Sequence, residues 1–310
     1  MLARLERRLG RLHARQRLGI EAEHEAQIFR RGWKRIHIEN WYSVHWLISG
    51  CLQATGLYWR GRRNAERVEV KHNLVQSAAL PREFDGFTLL HLTDLHVEIS
   101  ERAMQRVAQL ADGLSYDACV LTGDYRNRTF GSFDAALAGL AALRGHLKDP
   151  IYGVLGNHDS IRMVPALEDM GIRMLLNEAD TLVRNDARIH IAGVDDAHFF
   201  RMDNIEKAAA LLPHEDFSIL LSHTPEIYRQ AAHAGFDLML SGHTHGGQIC
   251  LPGSIPIILE ARMPRRFGAR AWRHGDMQGY TSVGAGTCIV PVRLNCPPEI
   301  TLHRLERSEN

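Results

Sequence analysis

Five cysteines are scattered along the chain without a single Cys-x-x-Cys pair, and their number is odd. A disulfide framework and a thiolate zinc site are thereby disfavoured, and a reducing compartment is expected. A surplus of one charge is also missing: 37 Lys and Arg stand against 36 Asp and Glu, for a net +1. No global field draws the chain to nucleic acid, and no basic groove interleaved with aromatics appears, so nucleic acid is not an expected partner. Long clean apolar runs are absent as well. The nearest, WYSVHWLISGCLQATGLYW at residues 41–59, is interrupted by His45, Gln53 and two glycines; it is barely long enough to span a bilayer. The paired arginines of FRRGWKR are followed by charge rather than by the apolar stretch of a twin-arginine signal. A cytoplasmic location follows as the expectation, with peripheral attachment to the inner face of the cytoplasmic membrane as its extension. Internal repeats and low-complexity tracts are missing too. With 45% apolar and 24% charged residues, disorder as the dominant state is excluded.

What is present begins with a basic segment. Met1 to Arg35 carries ten Lys or Arg against four Glu, and four of the five tryptophans lie between residues 33 and 59. Residues 1–65 are read as a mostly helical extension. Tryptophans beside cations are how interfacial segments meet headgroups, so residues 41–59 are a candidate membrane-interface segment. The alternatives are a helix packed on its own domain or on a dimer mate, and a spanning helix.

From residue 66 to 310 short apolar runs alternate with helical patterns, the signature of layered α and β structure. FTLLHLTDLH, YDACVLTGD, PIYGVLGNHD, FSILLSHTPE and FDLMLSGHTH each place four to six mostly apolar residues directly before Asp, Asn or His. Such runs suit strands buried on both faces, whose carboxyl ends are where ligands gather. ERAMQRVAQLADGL and FDAALAGLAALRGHL read as helices. DNIEKAAALL reads as a helix capped by Asp203, and TLVRNDARIHIAGV as a hairpin turning at Asn185 and Asp186. Asp117 and Asp237 are expected to start strands, Cys250 to be a small buried hydrophobe and His91 to be structural. Residues 252–279 read as a long arginine-rich loop carrying Arg262, Arg265, Arg266, Arg270 and Arg273.

The polar residues that end the runs are Asp94, His96, Asp124, Asn157, His158, Asp159, His223, His243 and His245. Carboxylate, imidazole and amide donors without thiolate suit borderline or hard divalent ions, and there are too many for one ion. Two four-ligand sets sharing one carboxylate would use seven of them.

The ordered set D-x-H, G-D, G-N-H-D, a lone His after a strand and G-H-x-H, spanning roughly Phe87 to Thr301, resembles the calcineurin-like metallophosphoesterases. The resemblance implies an αββα sandwich, two mixed β-sheets packed face to face and flanked by helices, behind the helical extension. It also implies that Asp94, His96, Asp124 and His245 hold one metal, and Asp124, Asn157, His223 and His243 the other. The expected cofactors are two divalent ions, manganese first, with iron, zinc or magnesium as alternatives. In such a centre, ions about 3.5–4 Å apart clamp a phosphoryl oxygen and activate a bridging hydroxide for in-line attack. His158 would serve the leaving oxygen, and Asp159 would orient His158. Gly242, Gly246 and Gly247 would make room for metals and substrate.

LTDLH, LTGDY, VLGNHD, LLSHTPE and LSGHTHGGQI are most similar to bacterial phosphodiesterases of the YkuE and YaeI type, relatives of enzymes that split UDP-diacylglucosamine. That implies a phosphodiester or pyrophosphate substrate, with a lipid-linked one as a candidate; a soluble phosphatase or nucleotide phosphodiesterase is the alternative, and a non-catalytic scaffold the outlier. Tyr125-Arg126-Asn127 departs from the second acidic residue that relatives often carry here. Arg126 is then either a phosphate contact or a solvated loop arginine. The same choice applies to Arg262, Arg265 and Arg266, of which at least one is expected to reach substrate.

Overall fold

All five apolar runs form strands, and each strand presents one set of side chains to a core on either side. The computed structural model describes residues 1–30, 42–210 and 212–309. Its helices are α1 (Leu2–Leu9), α2 (Arg11–Arg30), α3 (Tyr42–Ala54), α4 (Leu57–Ala65), α5 (Glu101–Asp112), α6 (Asp134–Arg144), α7 (Val164–Asp169), α8 (Ile205–Ala209) and α9 (Tyr228–His233). The strands in the first half are β1 (Glu69–Ser77), β2 (Thr88–Leu92), β3 (Ala118–Leu121), β4 (Ile151–Gly153), β5 (Ile172–Met174), β6 (Glu178–Arg184) and β7 (Ala187–Gly193). Those in the second are β8 (Ser218–Leu221), β9 (Leu238–Ser241), the short pair β10 (Cys250–Leu251) and β11 (Ile255–Pro256), β12 (Arg270–His274), β13 (Met277–Thr281) and β14 (Glu299–Arg307).

Two six-stranded mixed sheets result, in the orders β1-β14-β2-β3-β4-β5 and β12-β13-β9-β8-β7-β6. Strand periodicity explains why they stack. In β3, Ala118 and Val120 join the core between the sheets, while Cys119 and Leu121 join the core under the helices. In β8, Ile219 and Leu221 point between the sheets and Leu220 points to the opposite face. The chain is therefore an αββα sandwich, and each fully buried aliphatic side chain contributes about 1.5–3 kcal/mol relative to exposure.

Local signals set the boundaries. The Ser100 side chain accepts from the Ala103 amide to cap α5, which stops at Gly113. β6 and β7 turn through Asn185 and Asp186, both at positive φ, as a tight hairpin requires. Asp117 and Asp237 precede β3 and β9 and accept from the amides of Thr88 and Ser218. Two expectations are corrected. α8 is capped by Asn204, whose side chain accepts from Lys207, and not by Asp203. Residues 252–279 are not one long loop, because β12 and the start of β13 pair as an edge hairpin with Trp272 turned inward.

The amino-terminal helices join the body of the sandwich. Leu5, Leu9 and Ala14 lie in the same cluster as Leu90, Leu92 and Ile161. α3 rests Leu52, with Ile48 beside it, on Val290, Val292 and Leu294, which leaves Trp46 81% and Trp59 65% exposed. Trp33 and Trp41 lie outside the described residues. Among the described residues no helix is long and apolar enough to cross a membrane.

Candidate metal centre

The site forms where β2, β3 and β4 of one sheet and β8 and β9 of the other run out at the same end of the sandwich. Parallel pairing carries β2, β3 and β4 to a common edge, and likewise β8 and β9. The next residues are the Asp, Asn and His expected as ligands. Asp94, His96, Asp124, His243 and His245 all have positive φ, between 39° and 72°. Left-handed conformations in residues with a Cβ cost roughly 1–3 kcal/mol each and gather at functional sites. Packing enforces them: a Cβ on Gly242 would stand 2.1 Å from Thr93 Oγ1 and 2.4 Å from Asp94 Oδ2. On Gly156 it would stand 2.2 Å from Asp124 Oδ1. Glycine is what lets the loops close on the two carboxylates.

All seven expected ligands are buried and converge. His96 Nε2 lies 3.8 Å from Asp124 Oδ2 and 3.2 Å from His245 Nε2, which is itself 3.4 Å from Asp94 Oδ1. On the other side of Asp124, His223 Nε2 lies 3.2 Å from Oδ2 and 2.9 Å from Asn157 Oδ1. Ligand atoms of Asp94, His96 and Asp124 fall within 4.8 Å of one another, and so do those of Asp124, His223 and His243. Asp124 is common to both groups.

The surroundings prepare these atoms for a cation. His96 and His223 donate Nδ1–H to the carbonyls of Arg126 and Thr122, each at 2.8 Å, which turns Nε2 inward as the ligand atom. His243 Nε2 is buried and has no hydrogen-bond partner among the described residues. A buried imidazole grouped with the Asp124 carboxylate and the His223 ring, one nitrogen unpaired, is what a metal ligand looks like in the bare protein. Burial raises Asp94 to about 6, with the Asp124 charge adding to the effect. Burial works against ionising Asp124, but the His223 and His158 imidazoles outweigh it and hold this carboxyl well below its usual range. Burial also opposes charge on His223, yet Asp124 lifts it to about 10. The carboxylate that attracts a proton there would also attract a divalent ion. The donor set therefore fits two such ions.

Other expectations are met differently. His158 Nε2 is 4.0 Å from Asp124 Oδ2, and its Nδ1 is 3.2 Å from Thr129 Oγ1. Asp159 does not orient that ring. Its carboxylate accepts from the main-chain amides of Asp124, Tyr125, Arg126 and Gly156, so it locks the Asp124 loop onto the Asn157 loop. Arg126 is neither solvated nor aimed at phosphate. It is buried and donates to the carbonyls of His158, Thr129 and Gly131, bracing the loop, because each of the three guanidinium nitrogens meets a main-chain carbonyl. Arg262, Arg265 and Arg266 are exposed. The Arg262 amide donates to Glu226, whose other oxygen takes His198 Nδ1–H at 3.0 Å. The His198 ring lies with its centroid 4.2 Å from that of His243, tilted by 46°.

Three residues at the site had no signal in the sequence. His198 and Glu226 sit in unremarkable contexts. Cys288, buried, brings a sulfur within 4.8 Å of ring nitrogens of His96 and His245, although the cysteine spacing argued against a thiolate site.

The calcineurin-like phosphoesterase family model matches residues 87–247. The metallophosphoesterase YkuE of Bacillus subtilis is 30% identical over 84% of this chain and 93% of its own. YkoQ of the same organism is 29% identical over 80% of this chain and 94% of its own. The phosphodiesterase YaeI of Escherichia coli is 28% identical over 71% and 82%.

Proposed function

Because the chain belongs to the calcineurin-like phosphoesterase family and is a metal-dependent phosphoester hydrolase, we propose that it cleaves a phosphodiester or pyrophosphate bond in a lipid-linked substrate at a membrane surface. A UDP-diacylglucosamine-like molecule is the reference substrate. Asp94, His96, Asp124 and His245 would hold one ion, and Asp124, Asn157, His223 and His243 the other, with manganese as the first candidate and iron, zinc or magnesium as alternatives. Two such ions, when bound, polarise the phosphoryl oxygen and lower the pKa of water. His158 gives the leaving oxygen a proton from its buried position beside Asp124. Asp159 and Arg126 keep the two loops in register beneath it.

The observation that carries the membrane reading is an apolar rim beside the metal loops. Gly247, next to His245, abuts Pro256 and the Ile258 carbonyl so closely that a Cβ there would stand 2.5 Å from Pro256 Cβ. The hairpin it supports exposes Leu251, Ile255, Ile257 and Ile258. Ile249, at the base of this hairpin, packs into the cluster that carries α3, whose Trp46 and Leu47 are also exposed. Arg60, Arg62 and Arg63 on α4, and Arg262, Arg265 and Arg266, are exposed cations of the kind that anionic headgroups attract.

The test is turnover by the manganese-loaded full chain of a UDP-linked diacyl sugar in mixed micelles, against bis-p-nitrophenyl phosphate and p-nitrophenyl phosphate, with Asn157→Ala as the control. Preferential turnover of the lipid substrate that disappears in Asn157→Ala and falls in an Ile257→Ser, Ile258→Ser double variant is expected. Activity confined to the small esters overturns the lipid assignment and leaves the hydrolase in place.

A further inference from the structure

We propose that the Cys288 thiolate is an additional ligand of the ion held by Asp94, His96 and His245, and that it shifts this site toward softer divalent ions such as zinc or cobalt. The inference rests on the two-metal reading above and adds a donor of a different class to it.

The segment that brings Cys288 in is pressed onto the ligand loop. The Ala285 and Gly286 amides donate to the carbonyls of Thr93 and Asp94 at 3.1 and 2.8 Å. A Cβ on Gly286 would stand 2.4 Å from the Leu95 carbonyl, so the two backbones touch. Two buried side chains then fix the far end. Gln248, three residues beyond His245, accepts the Cys288 amide at 2.7 Å and donates to the Cys288 carbonyl at 2.8 Å. Arg293, fully buried, donates to the carbonyls of Val283, Gly284 and Gly286, and also to that of His245. The sulfur is thus fastened from both sides next to the two imidazoles, with its ligand atom and theirs within 4.8 Å of one another. His243 Nε2, 95% buried and without a hydrogen-bond partner among the described residues, belongs to the adjoining ion position and marks the shared centre as a place built for ions.

Thiolate is the softest donor available to a protein and favours zinc, iron and related ions over manganese or magnesium. On ligation the S–H proton passes to solvent, one proton for each sulfur bound, with no change of oxidation state. With Cys288 this site would add a sulfur to Asp94, Asp124 and two imidazoles, whereas its neighbour has Asp124, Asn157 and two imidazoles and no sulfur, so the two positions would differ in ion preference.

Optical titration of the metal-stripped full chain with cobalt(II) tests this. Visible d–d bands report that cobalt binds, and a near-ultraviolet sulfur-to-cobalt band reports a thiolate ligand. Both are expected in the wild type; Cys288→Ser keeps the visible bands and loses the ultraviolet one, whereas Cys250→Ser keeps both. Competition should show the zinc-over-manganese preference falling about tenfold or more in Cys288→Ser. Visible bands without the sulfur band in the wild type, or a sulfur band that survives Cys288→Ser, overturn the proposal while leaving the metal centre intact. Absence of cobalt binding would overturn both.

Discussion

Arg17 of α2 donates a 3.0 Å hydrogen bond to the carbonyl of Asp159, in the loop that carries Asn157 and His158. The guanidinium is completely buried, paired with Glu21 and Asp195 and lying 3.3 Å over the Phe200 ring. Glu21 in turn accepts from the Ser160 hydroxyl and the Ile161 amide. An amino-terminal helix thereby holds a ligand loop from behind. Arg17→Met removes the one cation that Glu21 and Asp195 share, leaving Glu21 only Arg162 at 3.7 Å and Asp195 only His13, and is expected to destabilise the protein by about 3 kcal/mol. A urea midpoint equal to the wild type's would contradict this account.

Gly242→Ala places a methyl group against Asp94. The expected result is a folded protein, by circular dichroism, whose metal affinity by calorimetry drops at least about tenfold, the scale seen when a ligand's support is disturbed. Unaltered affinity would mean that the loop relaxes around the methyl group and that glycine is not required there.

Loss of a general acid is felt in proportion to how badly the leaving group needs a proton. His158→Gln is expected to lower kcat by about 10²–10⁴-fold for an alkyl phosphodiester. For p-nitrophenyl esters, whose leaving group departs as a stable anion, the loss is expected to be much smaller. Equal losses on both substrates would assign His158 to the metal centre or to the fold instead.

His91 and His303 form a buried pair, 3.2 Å apart, with His91 Nε2 2.8 Å from Thr122 Oγ1. Burial lowers His91 from 6.5 to about 3 and His303 well below its ordinary value. Between about pH 3 and 6.5 the unfolded chain binds more protons than the folded one, so stability rises with pH across that window and is lost on acidification. Each group contributes a slope of up to about 1.4 kcal/mol per pH unit. His91→Gln should flatten the acid limb in a denaturation series run from pH 4 to 7. An acid limb as steep as the wild type's would place the sensitivity elsewhere.

The strands and their ligand-bearing ends were legible because one physical pattern announces both: an apolar run buried on two faces, then a polar residue where the sheet ends. Asp94, Asp124, Asn157 and His243 could be named from that alone. Arg126 could not be placed, since its burial depends on the Thr129–Gly131 turn folding over it. The burial of Arg17 on α2 had no signal in the sequence, because Asp195, which neutralises it, comes from a distant part of the chain. Cys288 gave no spacing signal either, as it reaches the site only through the backbone contact of Gly286 with Leu95.

Among the described residues β1 pairs with β14 alone, and β14 also supplies the second neighbour of β2, the strand that leads to Asp94. During synthesis, at about 5–20 residues per second, β2 therefore waits roughly 10–40 s with one edge unpaired before residues 299–307 emerge. A nascent chain of this protein carries all seven candidate ligands, Asp94 to His245, before it can hold them still, and the centre is completed only by a strand that has no ligand of its own.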